Sequence, residues 1–128
     1  MEDLLVILVI EDDQSIQGLI EEALTDGGFE PAIAPSGEEA VTLLKGGLIK
    51  YRALVTDIGL RGRMDGWEVA KQARDLDPEF PIVYMTGAHA DQWASQGVPS
   101  SILLIKPFAP AQLVTAVSQL LNSGTPTT

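Results

Sequence analysis

The 128-residue chain has no cysteine, a single histidine, and 8 basic residues against 18 acidic ones. Without cysteine neither a disulfide framework nor a thiolate metal site can form, and the absence suits a reducing compartment. The formal net charge of -10 argues against sequence-independent binding to nucleic acid or to an anionic membrane, because both are polyanions. Partners should instead be proteins or cations. A membrane-length apolar run is also missing: the N-terminal run LLVILVI, residues 4–10, is seven residues long and is preceded by acids. It has no basic n-region and no small-residue cleavage site, so it is neither a signal peptide nor a membrane span. There is no repeat at a solenoid period and no internal linker. What remains is a chain with 45% hydrophobic residues, enough to fill one core without staples. Residues 1–128 are therefore expected to form a single soluble domain, with the tail NSGTPTT, residues 122–128, frayed.

The run at residues 4–10 does not alternate, which is how a strand covered on both faces reads in a parallel sheet. Ile16, Leu19, Ile20, Ala23 and Leu24 then recur at helical spacing until Gly27 and Gly28 stop the helix. FEPAIA, residues 29–34, is a weaker strand that Pro31 demotes to a sheet edge. Ser36 and Glu39 form a capping box ahead of a second helix closed by Gly46 and Gly47. A third strand is expected at ALVTD (53–57), a third helix at WEVAKQARDLD (67–77), a fourth strand at PIVYMT (81–86) and a fifth at ILLI (102–105). Between the last two strands HADQWASQG could hold a short helix, with the least periodic pattern in the chain. The last helix begins near Pro110, a residue suited to the first helical position, and aligns Leu113, Val114, Val117, Leu120 and Leu121. Strict alternation of strand and helix implies an α/β fold with a parallel sheet between two helical layers. In such doubly wound sheets ligands bind beyond the carboxyl ends of the strands.

Five polar groups fall at those ends: Glu11 and Asp12 after the first strand, Asp57 at the end of the third, Thr86 at the end of the fourth and Lys106 after the fifth. Singly, each has a plain explanation as a cap, a turn residue or a solvated surface group. Asp57 is the hardest to dismiss, because an acid directly after ALVT is held at the rim of a core. Three successive acids in VIEDDQSI repel one another unless a cation, hydrogen bonds or water compensates. Carboxylates with waters make a hard-oxygen site suited to Mg²⁺. Such a cation, with the Lys106 ammonium and the Thr86 hydroxyl, could neutralise a phosphoryl group, and one carboxylate could act as the nucleophile that forms an acyl phosphate. Asp57 is the best placed to do so.

EDD after the first strand, TDIGL at the third, MDGWEVA, YMTG at the fourth and KPF after the fifth together resemble the receiver domain of bacterial two-component response regulators. The resemblance spans about residues 5–121. It implies a five-stranded flavodoxin-like (βα)5 sheet of order 2-1-3-4-5. It implies further that Asp57 accepts a phosphoryl group from a histidine kinase or histidine phosphotransfer protein. Asp12 would bind Mg²⁺ directly and Glu11 through water, with Asp57 and the main-chain carbonyl of Gly59 as further ligands. Thr86 would contact the phosphoryl group, and Lys106, followed by a cis bond to Pro107, would pair with the phosphoaspartate. Asp13 matches no such role and is expected to cap the first helix. The face built from the fourth helix, fifth strand and fifth helix would meet a downstream protein.

Three features depart from the family pattern. GLRGRMDG has Arg61 where a proline is usual and runs one residue longer. The simpler reading is a neutral insertion with Gly62 making the turn; the other is that Arg61 or Arg63 meets phosphate or an acidic partner. Leu103 stands three residues before Lys106, where many receivers have a Tyr or Phe switch. Gly59 and Ala88, two places after Asp57 and Thr86, offer no polar side chain to orient or block an attacking water. His89 is expected at the surface, Trp67 on the third helix, and Trp93 either over the core or as an exposed anchor. The chain thus reads as a cytoplasmic, stand-alone receiver without a DNA-binding output, catalysing only its own phosphorylation and hydrolysis. A receiver-like module that binds proteins without phosphorylation is the alternative.

Overall fold

The computed structural model describes residues 4–123. Its elements follow in the expected alternation: β1 (Val6–Ile10), α1 (Gln14–Asp26), β2 (Glu30–Ala34), α2 (Gly37–Gly46), β3 (Tyr51–Asp57) and α3 (Gly66–Leu76). Then come β4 (Ile82–Thr86), α4 (Trp93–Gln96), β5 (Ile102–Ile105) and α5 (Pro110–Ser123). The five strands are all parallel, in the order β2-β1-β3-β4-β5, which is the doubly wound, flavodoxin-like sheet.

The unbroken apolar runs of the inner strands are explained by two cores, one on each face. Ile7 and Val9 of β1 join Val55, Val83 and Met85 against Leu24 of α1 and Leu113 and Val117 of α5. Leu8 and Ile10 point the other way, with Leu54 and Tyr84, against Val41 of α2 and Val69 and Ala73 of α3. Successive residues alternate between faces as a pleated strand requires, and both faces are dry. β2, which contains Pro31, pairs only with β1 and so lies at an edge.

The local signals act where the sequence places them. Asp13 caps α1 by accepting from the amides of Ser15 (2.9 Å) and Ile16 (3.4 Å). Ser36 caps α2 by accepting from Glu39 N (3.2 Å), and Gly47 closes that helix in the left-handed region at φ 68°. β3 starts at Tyr51, two residues before the expected start, because Tyr51 turns inward while Arg52 stays exposed. The segment of weakest periodicity forms a 3₁₀ turn (Ala90–Gln92) leading into the four-residue α4, and neither buries a residue. α5 continues through Ser123, two residues into the stretch expected to fray; residues 124–128 lie outside the described ones. No helix of the described residues is long and apolar enough to cross a membrane. The Lys106–Pro107 bond is cis.

Candidate phosphoryl-acceptor site

The carboxyl ends of β1, β3, β4 and β5 bring Glu11, Asp12, Asp57, Thr86 and Lys106 to one edge of the sheet. One carboxylate oxygen from each of Glu11, Asp12 and Asp57 lies within 4.8 Å of the others. Lys106 reaches between two of the acids: its Nζ is 3.1 Å from Glu11 Oε1 and 3.1 Å from Asp57 Oδ2. Asp57 is fixed from its other side, where Oδ1 accepts from Ile58 N at 2.8 Å. Asp57 and Lys106 are mostly covered, with 15% and 23% of their side chains exposed, so an approaching group meets them at the surface of the cleft.

Glu11 lies deeper and is fully enclosed. Its second oxygen accepts from the amides of Asp12 (3.1 Å) and Asp13 (3.2 Å), and its main-chain carbonyl accepts from Gln17 Nε2 (2.6 Å). Burial pushes the Glu11 carboxyl above its ordinary value; the Asp13 amide lowers it, the Asp57 charge adds to the rise, and Lys106 does not fully offset it. For Lys106 the balance falls the other way: burial alone would lower its pKa, but Asp57 and Glu11 outweigh burial and raise it. The ammonium is therefore held charged, with two acids sharing one cation.

The neighbouring loops complete the site. Thr86 is buried, and its hydroxyl oxygen accepts from the amides of Ala88 (3.2 Å) and His89 (2.8 Å), so it clamps the start of the β4–α4 segment. At the start of α3, a Cβ on Gly66 would collide with the main-chain carbonyl of Asp57, and Gly66 N donates to Ile58 O at 2.9 Å. Only a glycine lets the helix begin this close to the end of β3. Beside Lys106 an apolar groove of about 500 Å³ opens between α1 and α5, lined by Ile16, Leu19, Ile20, Phe108 and Leu113.

The sequence model of the response regulator receiver domain matches residues 7–118. The chain belongs to that family. A response regulator receiver protein from Sinorhizobium medicae WSM419 is 47% identical and superposes with a TM-score of 0.91 over 94% of this chain and 97% of that one. The response regulator MprA of Mycolicibacterium vanbaalenii is 30% identical over 122 residues, which is 94% of this chain and 52% of MprA. The chain thus spans about half the length of the curated relatives it matches. The receiver domain of a sensor histidine kinase from Pseudomonas aeruginosa PAO1, solved with a magnesium ion coordinated in its active site cleft, has a TM-score of 0.80 at 22% identity, over 94% of this chain and 99% of that one. At that identity the likeness shows the fold alone.

Three residues of this receiver sit differently from what their sequence context suggests. Arg61, expected in a neutral insertion, directs its main-chain amide (3.2 Å) and its Nε (3.7 Å) to Asp12 Oδ2, although Gly62 does make the turn at φ 96°. His89 is half-buried, with Nε2 3.7 Å from where a Cβ of Gly59 would lie. A polar ring thus covers the position that the sequence leaves without a side chain. Leu103 registers against Tyr84 on β4, whose ring meets Trp67 at 4.7 Å and whose hydroxyl accepts from Val98 N at 3.1 Å. An aromatic side chain therefore fills this layer from the strand next to the usual one. Trp93 remains 38% exposed and donates from Nε1 to Ser101 Oγ at 3.0 Å. Gln17 is a contributor that sequence spacing did not reveal, since its bond to Glu11 runs to the main chain.

Proposed function

We infer that this receiver is a phosphoacceptor: Asp57 takes a phosphoryl group from a phosphohistidine of a kinase or phosphotransfer protein and changes its affinity for a protein partner. The observation that carries this reading is the Asp57 carboxylate, oriented by Ile58 N on one oxygen and by Lys106 on the other at the open end of the sheet. A carboxylate oxygen forms the new P–O bond as the P–N bond to the donor imidazole breaks, and the imidazole leaves with its electron pair. Lys106, held cationic, stabilises the negative charge on the transferred oxygens. Thr86 retains its hydroxyl hydrogen as a donor for one of them, because its bonds to Ala88 and His89 use only oxygen lone pairs.

The donor set fits a hard divalent cation. Glu11, Asp12 and Asp57 offer three carboxylate oxygens close together, and the main-chain carbonyl of Gly59 would be a further ligand. Mg²⁺ bound there supplies charge neutralisation for the phosphoryl group, as the magnesium in the Pseudomonas receiver's cleft suggests. In this reading the protein works in the cytoplasm, turns over no metabolite and catalyses only its own phosphorylation and hydrolysis. Its partner surface is the face of α4, β5 and α5, where Trp93 and Ile105 are exposed.

The deciding experiment is an intact-mass spectrum after incubation with Mg²⁺ and acetyl phosphate. One phosphoryl adduct is expected for the wild type and none for Asp57→Ala; an adduct that survives in Asp57→Ala would place the acceptor elsewhere. Lys106→Ala should keep some adduct but lose the change in partner affinity. The opposing reading, a receiver-like module that binds without phosphorylation, draws on Leu103 in place of the usual aromatic. It predicts no adduct from either acetyl phosphate or a phosphohistidine donor.

A further inference from the structure

The loop between β3 and α3 departs furthest from the family pattern, and it reaches directly into the acidic site. Two of the chain's 8 basic residues, Arg61 and Arg63, flank Gly62 there. The loop is anchored by main-chain groups. Leu60 N and Gly66 N both donate to Ile58 O (3.1 and 2.9 Å), Arg61 N donates to Asp12 Oδ2 (3.2 Å), and Arg63 N donates to Glu38 Oε2 (3.0 Å). None of these bonds requires an arginine side chain. The Arg61 guanidinium is nevertheless drawn to the site: its Nε lies 3.7 Å from Asp12 Oδ2, while 87% of the side chain stays exposed. Lys106 already serves Glu11 and Asp57. Every carboxylate of the cluster is thus faced by a cation belonging to the chain.

We propose that Arg61 is a tethered counter-ion that competes with Mg²⁺ for Asp12 and so sets the metal concentration at which the acceptor site becomes competent. The inference rests on the metal-dependent reading above. A divalent ion that takes Asp12 Oδ2 must displace the guanidinium. One that takes Oδ1 leaves a single positive charge beside a double one across the same carboxylate. Either route weakens metal binding. Because the guanidinium is mostly solvated, the competition is modest, about two- to fivefold in dissociation constant, and it is screened by salt.

The test is calorimetric titration of Mg²⁺ into the full chain as wild type, Arg61→Ala, Arg61→Gln and Arg61→Lys, at low and at near-molar sodium chloride. At low salt the Ala and Gln variants should bind about two- to fivefold more tightly than wild type. The Lys variant, which keeps the charge, should stay near wild type, and the gap should close at high salt. Equal or weaker binding by both neutral variants overturns the proposal. So does a gap that persists at high salt, since that would assign the change to a rearranged loop. If all four proteins bind alike, only the role of Arg61 falls. If none binds Mg²⁺, the metal-dependent reading falls with it.

Discussion

The two sides of the acceptor site are held by very different means. On one side α1 and α5 pack together over the sheet through fully buried residues such as Ile20, Leu24, Leu113 and Val117. On the other side α4 is four residues long and buries none. In the segment from Gly87 to Ser101 only Val98 is buried in the core; the segment is otherwise tied to the fold by side-chain hydrogen bonds, Thr86 to Ala88 and His89, Tyr84 to Val98 and Arg74 to Pro99 O, with Trp93 to Ser101 inside the segment. Apolar burial is non-directional and survives small displacements, whereas a hydrogen bond fails within a fraction of an ångström. Under the proposed phosphoacceptor function, the α4 side is the one expected to respond to a new group on Asp57, with the α1/α5 side as its platform.

The comparison can be broken most directly by stability measurements. Leu113→Ala should cost about 2–5 kcal/mol in denaturant unfolding, because a fully buried side chain leaves a cavity in the α1/α5 layer. Trp93→Ala, at a half-exposed position on α4, should cost less than about 1 kcal/mol; similar losses for the two would erase the distinction. Tyr84→Phe should cost roughly 1–2 kcal/mol by leaving Val98 N without its acceptor. Amide exchange should then quicken around residues 97–101 and stay unchanged in α1. Uniform exchange throughout the molecule would show that the tether is not local.

The smallest effect expected is on pH dependence. Burial raises the Glu11 pKa in the fold above its ordinary 4.5, so the native state holds the proton more tightly and stability declines as pH rises from 4.5 through the folded value. Lys106 gives the same direction in a different window: its stabilising pairs are fully present below 10.5 and are lost as pH rises through its raised value. Glu11→Gln should flatten the acid part of a pH series of urea midpoints. An unaltered slope would mean that Glu11 titrates normally.

Much of this was legible because the fold's strongest signals are local. The apolar runs of β1 and β3 to β5, Pro31 at the edge strand, and the caps Asp13 and Ser36 each depend on a few adjacent residues. The polar groups at the strand ends could be gathered into one site because parallel topology brings those ends together. Contacts made through the third dimension were not legible. Arg61 and Asp12 are 49 residues apart, and nothing in GLRGRMDG indicates which acid the insertion folds onto. His89 sits in a polar stretch that resembles surface, and only the position of Gly59 on the facing loop shows what its ring covers. Weak periodicity in HADQWASQG was itself informative, since a helix with no buried face has no period to display.

The glycine at the start of α3 has a consequence for the direction of signalling. Gly66 lets the helix backbone rest directly against the carbonyl of Asp57, so the acceptor's own main chain has no slack on that side. In the proposed phosphorylated state, withdrawal of β3 toward α3 is opposed by this contact. If the proposed function holds, the site is a vice with one jaw fixed to its bench, and the travel is expected in the other jaw, the span from Thr86 to Trp93.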